Sequence, residues 1–221
     1  MNTLFNKILM VIGSISLVLI ILLTSVELIT FNKQFYMKQM DKNNIASNIE
    51  VSRDDLEDIV QKIINYLKDE EDNLNIVKNV DKEEREIFNE QENIHMLDVK
   101  KLIEKGFLVR KILIFIFIIM LAFTILKKQT KLLVEIQGRT IGFSIVFILV
   151  LAFIININFN KYFTVFHEIF FANDLWLLDP KTSILINILP LEFFISTAIA
   201  IGVTFLILLA IVMIICKKIR S

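Results

Sequence analysis

The chain has 221 residues, 55% of them apolar, with zero formal net charge and a mean hydropathy of +0.65, which excludes an ordinary soluble domain and a charged, disordered tail. Its one cysteine, Cys216, excludes an intrachain disulfide. The stretch Phe31–Lys105 holds 12 Lys/Arg against 18 Asp/Glu, a difference of −6 that excludes a nucleic-acid surface.

Four apolar runs set the order of the elements. The first, Ile8 to Thr30, is long enough to cross about 30 Å of hydrocarbon. Lys7 precedes it as in a signal peptide, but no A-x-A cleavage pattern follows, so an uncleaved helix over 1–30 is expected. Residues 31–106 follow as a cap domain. Within it Ser52 reads as an N-cap with Asp55 in the capping-box position, and Leu56, Ile59, Val60, Ile63, Ile64 and Leu67 fall on one helical face. Phe35-Tyr36 and Ile76-Val77 read as short strands. A second helix is expected from about His95 to Lys105, with Gly106 as its stop. The acidic run Asp81–Glu86 reads as solvated surface. The second span is 107–126, with Arg110 and Lys111 reaching for headgroups. A loop over 127–140, a third span over 141–159, an aromatic loop over 160–192, a fourth span over 193–216 and a tail over 217–221 complete the chain. In the aromatic loop, Asp179-Pro180 reads as a turn and Pro190 opens the last helix.

Orientation follows from the cations. Lys7, Lys127, Lys128, Lys131, Arg139, Lys217, Lys218 and Arg220 flank one set of helix ends, and short flanks rich in Lys/Arg stay cytoplasmic. The expected fold class is therefore membrane α-helical: four transmembrane helices with both termini cytoplasmic, plus a small α+β extracytoplasmic cap. The expected location is the cell membrane, multi-pass, with an active site on the extracytoplasmic face.

The chemistry then narrows by elimination. His167-Glu168 is not part of H-E-x-x-H, because Phe occupies position 171. Glu92-Asn93-Ile94-His95 is one arm of a di-iron pattern without its second arm. No nucleophile elbow, P-loop or Rossmann glycine pattern exists. Ser47, Ser52 and Ser183 have no neighbouring histidine in sequence, and Cys216 falls on the cytoplasmic side. What remains are the only two histidines, His95 and His167, both on the outer side. Imidazole is the side chain suited to exchanging protons near neutral pH. Taken alone, the residues leave three readings open: acid/base catalysis on a lipid-borne substrate, a haem- or metal-binding membrane protein using the histidines as ligands, and a non-catalytic membrane adaptor. Glu27 reads as an ionisable group near the outer end of the first helix. Trp176 reads as an interface anchor or a substrate contact. Asp98 reads as a helix-face charge or a histidine partner.

The stretch Glu92-x-x-His95-Met96-x-Asp98-Val99-Lys100 resembles the lipoprotein intramolecular transacylase family (Lit), four-helix membrane enzymes of Gram-positive bacteria. So do Phe166-His167-x-Ile169-Phe170-Phe171, Leu175-Trp176-x-x-Asp179-Pro180, Leu185-Ile186 and Leu189-Pro190. The resemblance implies an acyltransferase acting on diacylated lipoprotein, with membrane lipid as its surroundings and no cofactor. It would move the sn-2 acyl chain of diacylglyceryl-cysteine to the cysteine α-amino group, giving the N-acyl lyso form. By the resemblance His95 and His167 are the catalytic pair. His167 is expected as general base and His95 as oxyanion or leaving-group donor. Trp176, Tyr162, Phe166, Phe170 and Asn173 are the expected substrate contacts, with Phe163 and Phe171 also lining acyl grooves and Asp98 and Glu92 supporting. Amine and ester both belong to the substrate, so no enzyme nucleophile and no ATP site are needed.

Overall fold

Where water is absent, a helix satisfies its own backbone N–H and C=O groups, so long apolar runs coil. The computed structural model describes residues 3–80 and 83–220, without side chains at 3, 78–80 and 83–85. Helix α1 runs Thr3–Thr30. Helix α2 runs Lys33–Lys42, with the Asn32 side chain accepting from the Phe35 N–H. The strand expected at Phe35-Tyr36 is thus a helix: the cap starts it, and Tyr36, Met37 and Met40 recur at helical spacing on its buried face. After α3, Ile45–Asn48, comes α4, Arg53–Leu67. Ser52 caps α4 by accepting from the Asp55 N–H, and all six residues of its expected apolar face are buried. Strand β1, Val77–Val80, pairs antiparallel with β2, Glu83–Glu86. The acidic run Asp81–Glu86 falls largely outside the described residues.

Helix α5 then runs unbroken over 37 residues, Glu90–Leu126. The stop expected at Gly106 does not occur. A glycine stop needs a left-handed residue, and no described glycine has positive φ. Helix α6, Thr130–Ile157, absorbs most of the loop expected over 127–140. The aromatic segment is largely helical too: α7 runs Phe159–Phe170 and α8 runs Ile184–Ile188. Between them Asp179 makes the expected turn, its carbonyl accepting from Thr182 and Ser183. Helix α9, Leu191–Arg220, starts directly after Pro190. Four helices, α1, α5, α6 and α9, are long and apolar enough to cross a membrane.

The chain divides into two units. One comprises Met1–Glu27, Gly106–Asn158 and Ile199–Ser221. Inside it Val18, Ile21, Ile141, Phe205 and Leu209 pack together, and Met10, Met120 and Leu133 form a second cluster. Gly13 lets α1 approach Met120 closely: a Cβ there would lie 2.5–2.8 Å from three Met120 side-chain atoms. Arg110 pairs with Glu27 and lies over the Phe107 ring. Phe115, Phe143, Phe147 and Phe153 are exposed on this unit, a surface suited to lipid rather than water.

The other unit comprises Leu28–Lys105 and Phe159–Ala198. Its core joins the α4 face to Tyr36, Met40, Ile87, Phe88, Met96, Leu185, Ile188 and Phe193. Among its described residues the only strands are the β1–β2 ribbon, so the unit is mainly helical rather than evenly α+β.

Candidate active site

The first turns of α5 present Gln91, His95 and Asp98 at i, i+4 and i+7, which is one stripe of a helix. Asn89 and Glu92 start that helix reciprocally. The Asn89 side chain accepts from the Glu92 N–H at 3.0 Å, and Glu92 Oε2 accepts from the Asn89 N–H at 2.6 Å. The other Glu92 oxygen accepts from Ser183 Oγ at 2.5 Å and from the Leu185 N–H at 2.7 Å. Glu92 is therefore buried, 1% exposed, with its charge met by three donors. It ties the start of α5 to the start of α8. Ser183 serves as the N-cap of α8 and donates its proton to Glu92.

Helix α7 supplies the second histidine. Its residues Phe159, Phe163 and His167 repeat every four positions, so their rings run along one face. His167 Nδ1 lies 2.7 Å from the Phe163 carbonyl oxygen. A carbonyl only accepts, so Nδ1 carries the proton and neutral His167 keeps its Nε2 lone pair free.

The two imidazoles meet. Their centroids are 6.1 Å apart at 33°, and His95 and His167 are 7% and 8% exposed. Phe171 touches both, 5.2 Å from His95 and 5.5 Å from His167. Trp176 stacks on His167 at 4.9 Å and 30°. His95 Nδ1 is buried and has no hydrogen-bond partner among the described residues. Leaving such an atom unpaired costs about 1–3 kcal/mol.

His95 sits in the second turn of α5. Burial pushes its ring down from 6.5 to about 4, with His167 adding to the shift and Asp98 opposing it. Burial likewise holds His167 below its ordinary value, against the Phe163 carbonyl, which favours the charged ring. Burial therefore favours the neutral form of both rings, in which each can accept or relay a proton. Among the described residues, no three His, Cys, Asp or Glu side chains gather in a way that could hold a metal ion.

The other expected site residues divide. Phe166 meets His167 edge-on at 5.5 Å and Phe170 at 4.7 Å. Both are exposed, with Ile169 beside them, as an apolar ridge on α7. Asn173 donates to Asp98 at 2.8 Å, so these two expected residues pair with each other. Asp98 acts on His95 through its charge. Glu92 supports the scaffold rather than touching a ring. Tyr162 is half-buried on α7, and no described contact joins it to either histidine. An open cavity of about 520 Å³ is lined by Thr164, Glu168, Asn173, Asp174 and Leu177, with Phe171 and Trp176 shared with the histidine cluster. The histidines do not line it.

Two features were missed from the sequence. One is the Phe163 carbonyl, a main-chain group that no residue type advertises. The other is Gln91, whose Nε2 donates to the carbonyls of Leu175 and Leu177; its spacing of four from His95 was its one signal.

The model of the family "lipoprotein intramolecular transacylase Lit" matches residues 11–194. Among solved structures, that of the membrane integral lipoprotein intramolecular transacylase Lit from Bacillus cereus is similar over 99% of both chains, at 25% identity and a TM-score of 0.82. Two variants of that Bacillus cereus protein, with one histidine changed to arginine or to alanine, each match at 25% identity and a TM-score of 0.77. They cover 98% of this chain and 93% and 92% of theirs. No curated protein matches the chain.

Proposed function

The chain belongs to the lipoprotein intramolecular transacylase family, a family of acyltransferases, and on that footing we propose the reaction and the residues that perform it. The substrate is a lipoprotein whose N-terminal cysteine carries a diacylglyceryl group. The α-amino nitrogen attacks the sn-2 ester carbonyl. The carbon–nitrogen bond forms and the bond to the glycerol oxygen breaks; of the two protons that the ammonium group loses on becoming an amide, one leaves through His167 to water and the other ends on the glycerol hydroxyl. The product is an N-acyl lyso-lipoprotein.

The observation that carries this reading is the 2.7 Å contact of His167 Nδ1 with the Phe163 carbonyl, beside a His95 whose Nδ1 has no hydrogen-bond partner among the described residues. A free α-amine has a pKa of about 8, so most of it is protonated at pH 7 and must lose a proton before attack. His167 Nε2 is the general base that takes it. His95 donates a hydrogen bond to the developing oxyanion and relays to the departing glycerol oxygen the proton that the nitrogen gives up after attack. Nucleophile and ester reside in one molecule, so the enzyme's work is orientation, and well-oriented pairs reach effective molarities of about 10⁵ M or more. The exposed ridge of Phe166, Ile169 and Phe170 receives acyl chains. Lys7, the cations around Lys127–Arg139 and those at Lys217–Arg220 hold both termini in the cytoplasm, so the histidines work on the outer face. The mainly helical unit that carries them is then the extracytoplasmic cap.

The test is mass spectrometry of a reporter lipopeptide from a host that makes diacylated lipoproteins. Expression of the chain gives the lyso form. His95→Ala and His167→Ala each abolish conversion with folding retained. Full conversion by the double alanine variant refutes the assignment.

A further inference from the structure

Gln91 bears no group that could exchange a proton near neutral pH, and it is exposed. Its position is what matters. It stands one turn before His95 on α5, and its Nε2 donates to the carbonyl of Leu175 at 3.1 Å and to that of Leu177 at 3.2 Å. Those two carbonyls flank Trp176. One amide therefore fixes the main chain on both sides of the indole that stacks on His167.

The same segment is tied to α5 at both ends. Asp98 accepts from Asn173 at 2.8 Å, and Glu92 accepts from Ser183 at 2.5 Å. Residues 173–183 form a strap across the helix that carries His95, with the Gln91 amide at its middle. The tie at Gln91 is the one next to the indole, and it costs no buried charge.

We propose that Gln91 is a positioning residue for the transacylation, acting through Trp176 to hold the His167 ring in register with His95. This rests on the reading of His167 as the proton acceptor. The chemistry needs it, because Nε2 must point at the substrate amine, and rotation of the ring about its hydrogen bond to the Phe163 carbonyl would turn it away. Of the titratable groups, His95 of α5 faces His167, Asp98 acts on His95, and Glu168 of α7 and Asp174 of the strap line the cavity beside Trp176.

The test uses the full chain in lipid nanodiscs. Trp176 is the only tryptophan, so its emission is a local gauge, and a protonated imidazole quenches a stacked indole. Acidification dims the wild-type emission, and His167→Gln removes that dependence. Gln91→Leu and Gln91→Glu each delete the donor pair while leaving the buried core untouched, and thermal unfolding checks both. In each, His167-dependent quenching falls by about half or more, and kcat on a diacylglyceryl lipopeptide falls about tenfold with KM little changed. In a Trp176→Ala background, Gln91→Leu adds no further loss of kcat. Wild-type quenching in both variants overturns the clamp. Lost quenching with unchanged kcat overturns the positioning role, and so does an equal kcat loss in both backgrounds. If the wild-type chain converts no lipopeptide, the proposed reaction fails, and the quenching series still decides whether Gln91 holds Trp176 on His167.

Discussion

Replacing Glu92 will loosen the unit that carries the two histidines by an amount its contacts let us work out. One carboxylate oxygen serves Ser183 and Leu185, and the other serves the Asn89 N–H. A net bond to a charged acceptor contributes about 1.5–3 kcal/mol. Two of these three bonds are buried, and the third sits at the partly wetted helix start. Deleting a buried charge also relieves its desolvation, which offsets part of the loss. Glu92→Ala is therefore expected to cost about 4 kcal/mol in net terms. Glu92→Gln keeps the shape: its amide oxygen can serve Ser183 and Leu185, but its NH2 then faces the Asn89 N–H. It is expected to cost about 2 kcal/mol. At about 2–4 °C per kcal/mol for a chain of this size, the melting temperature in detergent falls by about 10 °C or more for Ala and about half that for Gln. A double-mutant cycle with Ser183→Ala isolates the pair, because Ser183→Ala should cost less once Glu92 is gone. A Glu92→Ala protein melting within about 1 °C of wild type, or strict additivity in the cycle, refutes the account of this carboxylate as a three-donor hub.

Other outcomes follow from single positions. Gly13→Ala puts a methyl within 2.8 Å of the Met120 Cβ, an atom near the backbone that cannot swing away. It should destabilise by about 1–3 kcal/mol, read as a lower melting temperature. Gly106→Ala meets nothing within 4 Å and should stabilise the long helix by about 0.5–1 kcal/mol with activity unchanged, read in the same melt. The pH–rate profile has a stated sign. Both rings are held below 6.5 by burial, His95 at about 4, so the fold disfavours their charged forms. The unfolded chain binds protons first as pH falls below 6.5, and stability drops from there towards pH 4. The rate rises with pH towards about 8 as the substrate amine deprotonates, and the acid limb belonging to the rings lies below pH 6.5. A midpoint at or above pH 6.5 for the His167-dependent quenching of Trp176 emission contradicts the burial argument.

The membrane helices were legible because an apolar run of that length has few other stable forms. Helix α4 was legible because cap and stripe agree. The errors share a cause: local signals were weighed without their neighbours. Gly106 costs a helix about 1 kcal/mol, but good helix formers on both sides outweigh that and α5 passes through it. Phe35-Tyr36 was too short to reveal its period, and packing of Tyr36, Met37 and Met40 into the core settles it as a helix. At the site, residue type pointed to the histidines, and the structure brings them together. Asp98 and Asn173 stood out separately, yet their pairing across 75 residues has no sequence signature. Gln91 was invisible for a further reason: it binds main-chain carbonyls, which every residue possesses.

The Phe163 carbonyl that orients His167 carries the same lesson further. On the proposed mechanism the third member of the acid–base group is not a side chain, so no substitution at position 163 that leaves α7 helical can delete it. Scanning mutagenesis will find two essential imidazoles and no orienting acid, and the reaction will look like a dyad. Its missing partner is the coil of α7 itself, so whatever unwinds that helix silences the base without altering a single atom of the ring.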